Sequence, residues 1–161
     1  IASTKLSGVT APSAFRNLII NGDMQVAQRS TSLSSITTSG YKTLDRYYLG
    51  LTTLGTWTQS QSTDVPSGYG FANSLKMDNT TADASPAAGD LCFITQIIEG
   101  QNLQYLKYNT SSAESLTLSF WVKSNKTGTY ICELFDSHNS QQFSSSCTGF
   151  FGYLDSQNNQ Y

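Results

Sequence analysis

The sequence predicts an all-β chain, an antiparallel β-sandwich with very little helix. Three observations carry that expectation. An apolar segment, Leu18 to Ile20, runs straight into Asn21-Gly22, a pair that tolerates positive φ at low cost and therefore turns chains. About a hundred residues on, Ser115-Leu-Thr-Leu-Ser-Phe-Trp-Val-Lys123 alternates strictly between apolar and polar. Between them, segments of strand character are separated by Ser-, Thr- and Gly-rich loops, with no helical repeats that would build βαβ units.

Taken in order, Ile1 to Ala14 is small and polar around Pro12 and reads as a linker, expected to join the domain to a longer polypeptide. A domain is expected over residues 15–161. Leu18 to Ile20 is a short strand, the chain turns at Asn21-Gly22, and Met24 to Gln28 follows. Arg29 to Gly40 is dominated by Ser and Thr without periodicity and is read as an exposed loop. Tyr41 to Leu51 holds enough aromatic and aliphatic residues for a strand buried on much of both faces.

Thr56 to Gln59 forms the next strand. Gly70 to Met77 alternates, with Phe71, Leu75 and Met77 inward against Ala72, Ser74 and Lys76, and with Asn73 as the inner exception. Asp78 to Asp90 is a long loop, and Leu91 to Glu99 a strand. Gln101 to Lys107 is the one plausible helical stretch, a turn or two at most. Leu116, Leu118, Phe120 and Val122 are expected inside a hairpin that turns at Ser124 to Gly128 and returns through Thr129 to Phe135.

Composition excludes several functions. Charged residues make up 12% of the 161-residue chain, about half the usual share, while 24 Ser and 19 Thr supply a neutral polar coat. A net charge of -2 with scattered Lys and Arg gives no footprint for nucleic acid. No apolar run reaches membrane-spanning length. Cys92, Cys132 and Cys147 show neither a disulfide framework nor zinc spacing; a Cys92 to Cys132 bridge requires that their strands be neighbours.

No enzyme is expected. Glu133 and Asp136 are the only close acid pair on or beside a strand, and residues three apart on a strand face opposite ways, whereas glycosidases hold two carboxylates across one sugar ring. His138, the single histidine, lies in the polar run Asp136-Ser-His-Asn-Ser140, and adjacency in sequence does not build a triad. Asp23 offers an oxygen of the kind calcium prefers, but no calcium loop surrounds it, and neither metal nor cofactor is expected.

Asn17-Leu-Ile-Ile-Asn-Gly-Asp-Met24, Leu44-Asp-Arg-Tyr47, Gln96-Ile-Ile-Glu-Gly100, Ser115 to Ser124 and Gly128-Thr-Tyr130, in that order, resemble the tail-fibre and appendage proteins of marine tailed bacteriophages. The same order is similar to carbohydrate-binding-module jelly rolls. The resemblance covers about Asn17 to Gln142; Met24 stands where those modules carry an aromatic, and Phe143 to Tyr161 departs from their later strands. It implies a jelly roll that continues past residue 161 or is closed by a partner subunit, preceded by a linker or the end of a fibre shaft.

In function, the resemblance implies a virion protein, usually trimeric, that works beside other virion proteins and binds a host-surface glycan. The alternatives are an accessory carbohydrate-binding domain of a secreted enzyme and a capsid decoration with a purely structural role. Hydroxyl and amide side chains suit sugar hydroxyls, and aromatic rings suit stacking. Trp121, which alternation places on the polar side with Ser119 and Lys123, is the first candidate for sugar binding, set against packing on a loop, a second layer or another subunit. Trp57 is the second candidate, with a core role ahead of it.

Overall fold

The computed structural model describes residues 17–107, 110–136, 141–149 and 152–154, the last two ranges as backbone. The expected linker, His138 and the side chain of Cys147 therefore lie outside the described residues. The chain is all-β: among the described residues there are ten strands and one short helix, and each strand pairing is antiparallel. It divides between Ser115 and Leu116 into two compact units.

In the first unit, β1 (Ser32–Ile36), β4 (Thr56–Ser62) and β5 (Ser74–Thr81) form one sheet in the order β1-β4-β5. A second sheet has the order β2-β3-β6, from β2 (Gly40–Tyr41), β3 (Tyr48–Thr52) and β6 (Leu91–Thr95). Both sheets send side chains into one core. Ile36 of β1 and Leu49 and Leu51 of β3 are buried together, with Leu54, Trp57, Met77 and Cys92 packed against them. Alternation puts Leu49 and Leu51 on that face of β3 and leaves Gly50 on the other, where the Phe93 ring of β6 lies across it.

Several expectations change here. Leu18 to Ile20 is not a strand; residues 19–23 are bends and turns, with Asn21 at φ 58° and the Met24 amide donating to the Asn21 carbonyl at 3.0 Å. Arg29 to Gly40 is not all loop, because β1 sits inside it. Ser and Thr carry good strand geometry when a neighbour supplies the ladder, and Ile36 anchors this one in the core at 4% exposure. Tyr41 to Leu51 is not one strand: it breaks between Tyr41 and Tyr48, where Arg46 takes φ 75° and Thr43 and Leu44 are buried in the bend.

Leu75 and Met77 point inward and Lys76 outward as expected, but β5 begins at Ser74, after Phe71 and Asn73, and runs on to Thr81. The loop therefore starts at Ala82. It ends on Asp90, whose carboxylate accepts from the Thr53 hydroxyl and from the Ala87 amide at 2.7 Å. β6 is shorter than expected, ending at Thr95. The helical stretch is a 3-10 helix over Gly100–Leu106, which stops at Lys107 with φ 49°.

The second unit contains β7 (Val122–Ser124), β8 (Gly128–Asp136), β9 (Gln141–Gly149) and β10 (Gly152–Leu154). β7 pairs with β10, and β8 pairs with β9 over its full length, so the expected hairpin between 116–122 and 129–135 is replaced. Alternation states which side chains share a face but names no partner strand, and the nine-residue β8 closes a longer ladder with β9 than three-residue β7 offers. Leu116 and Phe120, expected inside, are exposed at 54% and 39%. On β8, Ile131 and Phe135 are exposed as well.

Candidate functional site

Three segments far apart in sequence, 17–28, 44–47 and 96–100, meet beside the β2-β3-β6 sheet. They are joined by side-chain amides acting as short pieces of strand. The Asn21 Oδ1 accepts from the Val26 amide at 2.9 Å, while its Nδ2 donates to the Val26 carbonyl at 2.9 Å and to the Asp45 carbonyl at 3.1 Å. Gln96 does the same for Ile20, accepting from its amide at 2.7 Å and donating to its carbonyl at 2.9 Å. Gln61 of β4 donates to the Met24 and Gln25 carbonyls.

Asp45 is the hub of this clasp. Its amide donates to the Val26 carbonyl at 3.0 Å, and its carboxylate accepts from the Gln28 amide at 3.0 Å and from Arg29 Nη1 at 2.9 Å. A segment without a ladder thus has backbone groups of Ile20, Met24, Gln25, Val26 and Gln28 paired by side chains from elsewhere in the fold or from within the segment. Next to Asp45, Arg46 reaches both oxygens of Glu99 at 2.7 and 2.9 Å. The Tyr47 phenol is pushed above its ordinary pKa, mainly by burial, with the neighbouring Gln96 amide opposing and the Asp23 charge adding.

The Arg46 hydrogen bond holds the Glu99 carboxyl below its ordinary range. Because the folded value is depressed, this contribution is present above the unfolded pKa and is lost as pH falls through the folded one. Arg46→Gln is expected to raise the Glu99 titration midpoint in a carbon-detected NMR titration and to weaken the acid-side dependence of Tm. An unmoved midpoint would show that the pair does not persist in solution.

Two surfaces flank the clasp. A shallow depression of about 180 Å³ is lined by Asn17, Leu18, Ile20 and Asn102. On the β2-β3 pair, Tyr41 stands across from Tyr48 with ring centroids 5.3 Å apart and planes at 78°, and the Arg29 guanidinium lies 5.3 Å over the Tyr41 ring. Tyr41 is 43% exposed, and the Arg29 side chain is half open. This patch supplies aromatic surface with guanidinium donors beside it. It escaped the sequence because Tyr41 falls in a run that reads as doubly buried; Gly40 immediately before it is the only local sign of a break.

Of the two candidate tryptophans, Trp57 is half-buried against the core, the role placed ahead of sugar binding for it, and its indole N–H donates to the Leu54 carbonyl at 2.6 Å. Trp121 belongs to the second unit and is also half-buried. Cys92, in the first unit, is a free thiol whose pKa burial raises, and Cys132 belongs to the second unit. Glu133 and Asp136 sit on β8 at positions of opposite face, and among the described residues no group of three His, Cys, Asp or Glu could hold a metal. No helix among the described residues is long and apolar enough to cross a membrane.

What the fold and the clasp define is an all-β protein whose opening segment is pinned by amide side chains. Compared with protein-family models, curated proteins and solved structures, the chain matches none.

Proposed function

We propose that the chain is a non-enzymatic structural protein of a phage virion, a tail fibre or surface appendage whose jelly-roll sandwich attaches to a host-surface glycan. The observation that carries this reading is the clasp. Asn17–Met24, Leu44–Tyr47 and Gln96–Gly100, three of the segments on which the resemblance to phage appendage proteins rests, are bound together through Asn21, Asp45 and Gln96. Motifs that act as one structural unit support a shared architecture better than motifs scattered over a surface. The neutral Ser and Thr coat supports the choice of a sugar ligand, since its hydroxyls pair with sugar hydroxyls without a charge.

In this reading the protein is a homotrimer in the virion, in contact with other virion proteins, and Trp121 is the stacking residue. The test is a glycan array probed with the whole chain and with Trp121→Ala, together with antibody labelling of purified particles. Particle labelling and an array signal that falls roughly tenfold or more in Trp121→Ala, the loss of one stacking contact, are expected. An unchanged signal would remove Trp121 from the site, and neither labelling nor array binding would overturn the reading itself. Light scattering separates the trimer from the monomer that an enzyme accessory domain would give.

A further inference from the structure

Asn21-Gly22 is the only Asn-Gly pair in the chain. Its asparagine is also the side chain that ties the Val26 and Asp45 backbones together in the clasp. We propose that Asn21 is a deamidation site which the fold protects and which, once it has reacted, unlocks the opening segment for good.

The chemistry needs only water. The Gly22 backbone nitrogen gives up its proton and attacks Asn21 Cγ, forming the ring C–N bond of a succinimide, and the Cγ–Nδ2 bond breaks with loss of ammonia. Water then opens the ring at either carbonyl, leaving aspartate or isoaspartate. No oxidant or reductant takes part. Glycine at the following position leaves the attacking nitrogen unhindered, and Gly22 is exposed to solvent.

In the folded chain that attack is held off, because Asn21 is locked at both ends of its amide. Oδ1 takes the Val26 amide, and Nδ2 is divided between the Val26 and Asp45 carbonyls, so Cγ cannot turn onto the Gly22 nitrogen without breaking the contacts at 2.9, 2.9 and 3.1 Å. Deamidation therefore proceeds through molecules in which residues 17–28 have opened. Once it has occurred, the clasp does not re-form. The product carboxylate has no N–H to donate, so the two carbonyls lose their donor and face an anion instead. Isoaspartate adds a methylene to the backbone besides.

The test follows the intact chain in mildly alkaline buffer with and without denaturant, with Asn21 conversion read by peptide mass spectrometry. Conversion is expected to be roughly tenfold or more slower in the folded chain, in line with the protection of a closed segment. Gly22→Ala in denaturant should suppress it. The Asn21→Asp variant should melt about 5 °C lower, with faster amide exchange confined to 17–28. If that variant does not fold, aged wild-type protein separated by charge provides the same comparison. Equal conversion with and without denaturant, or deamidated protein with unchanged Tm and exchange, would overturn the proposal.

Discussion

Gly55→Ala is expected to lower the unfolding free energy by about 3 kcal/mol, the sum of backbone strain and a forced contact. Gly55 has φ +71°, a region that side-chain-bearing residues enter at a cost, and a Cβ built there lies 2.3 Å from the Thr81 carbonyl oxygen. That oxygen is backbone and cannot swing away. It belongs to the β4–β5 pair at the point where the register shifts between Thr56 and Trp57, so relief would have to come from unpairing the end of the sheet.

Gly50 provides the comparison. A Cβ there falls 2.2 Å from the Phe93 ring, an equally short approach, but Phe93 is 47% exposed and its ring can rotate outward. Gly50→Ala should therefore cost only about 1 kcal/mol, mostly the lost packing of that ring over the sheet. Urea unfolding of both variants checks the pair. A Gly55 variant no worse than the Gly50 variant would mean that the bulge does not have the described geometry.

The second large effect is expected at Gln59, which is fully buried in β4. Its Oε1 accepts from the Thr43 amide at 3.1 Å and from the Thr43 hydroxyl at 2.7 Å, and its Nε2 faces the Met77 sulfur at 3.4 Å. Gln59→Leu preserves much of the volume but leaves two buried donors on Thr43 without an acceptor, a loss of about 3 kcal/mol. Adding Thr43→Val removes the hydroxyl and should restore about 1 kcal/mol, while the amide remains unsatisfied. A loss below about 0.5 kcal/mol in Gln59→Leu, the level of an ordinary surface change, would show that these groups reach water.

Gln59 and Gly55 also show where sequence reading stops. Glutamine in Thr56-Trp-Thr-Gln59 reads as one more polar residue of a strand, and nothing local reveals that its partner, Thr43, is buried in a bend between β2 and β3. The opening segment misled in a similar way. Leu18 to Ile20 has strand composition, yet its backbone partners are amides, and Gln96 lies 76 residues away. The aromatic patch at Tyr41 was hidden for a related reason, since which tyrosine of a dense run stays outside depends on where the strand breaks.

Other features were legible from neighbours alone. Inward Leu75 and Met77 with outward Lys76 follow from a side-chain period of two, and the helical turn near 101–107 follows from a short run of helix-compatible residues after Gly100. The turn at Asn21-Gly22 follows from two residues that accept positive φ.

By itself, then, the sequence determined the all-β class, the neutral polar coat and the facing of Leu75, Lys76 and Met77 within β5, because these depend on residue type and on a local period. Tertiary structure alone decided the pairing of β8 with β9 in place of β7, the burial of Gln59 and Thr43, and the clasp around Asn21, Asp45 and Gln96. A strand's alternation is the same whichever ladder it joins, and an amide's hydrogen bonds belong to whatever backbone the fold brings beside it.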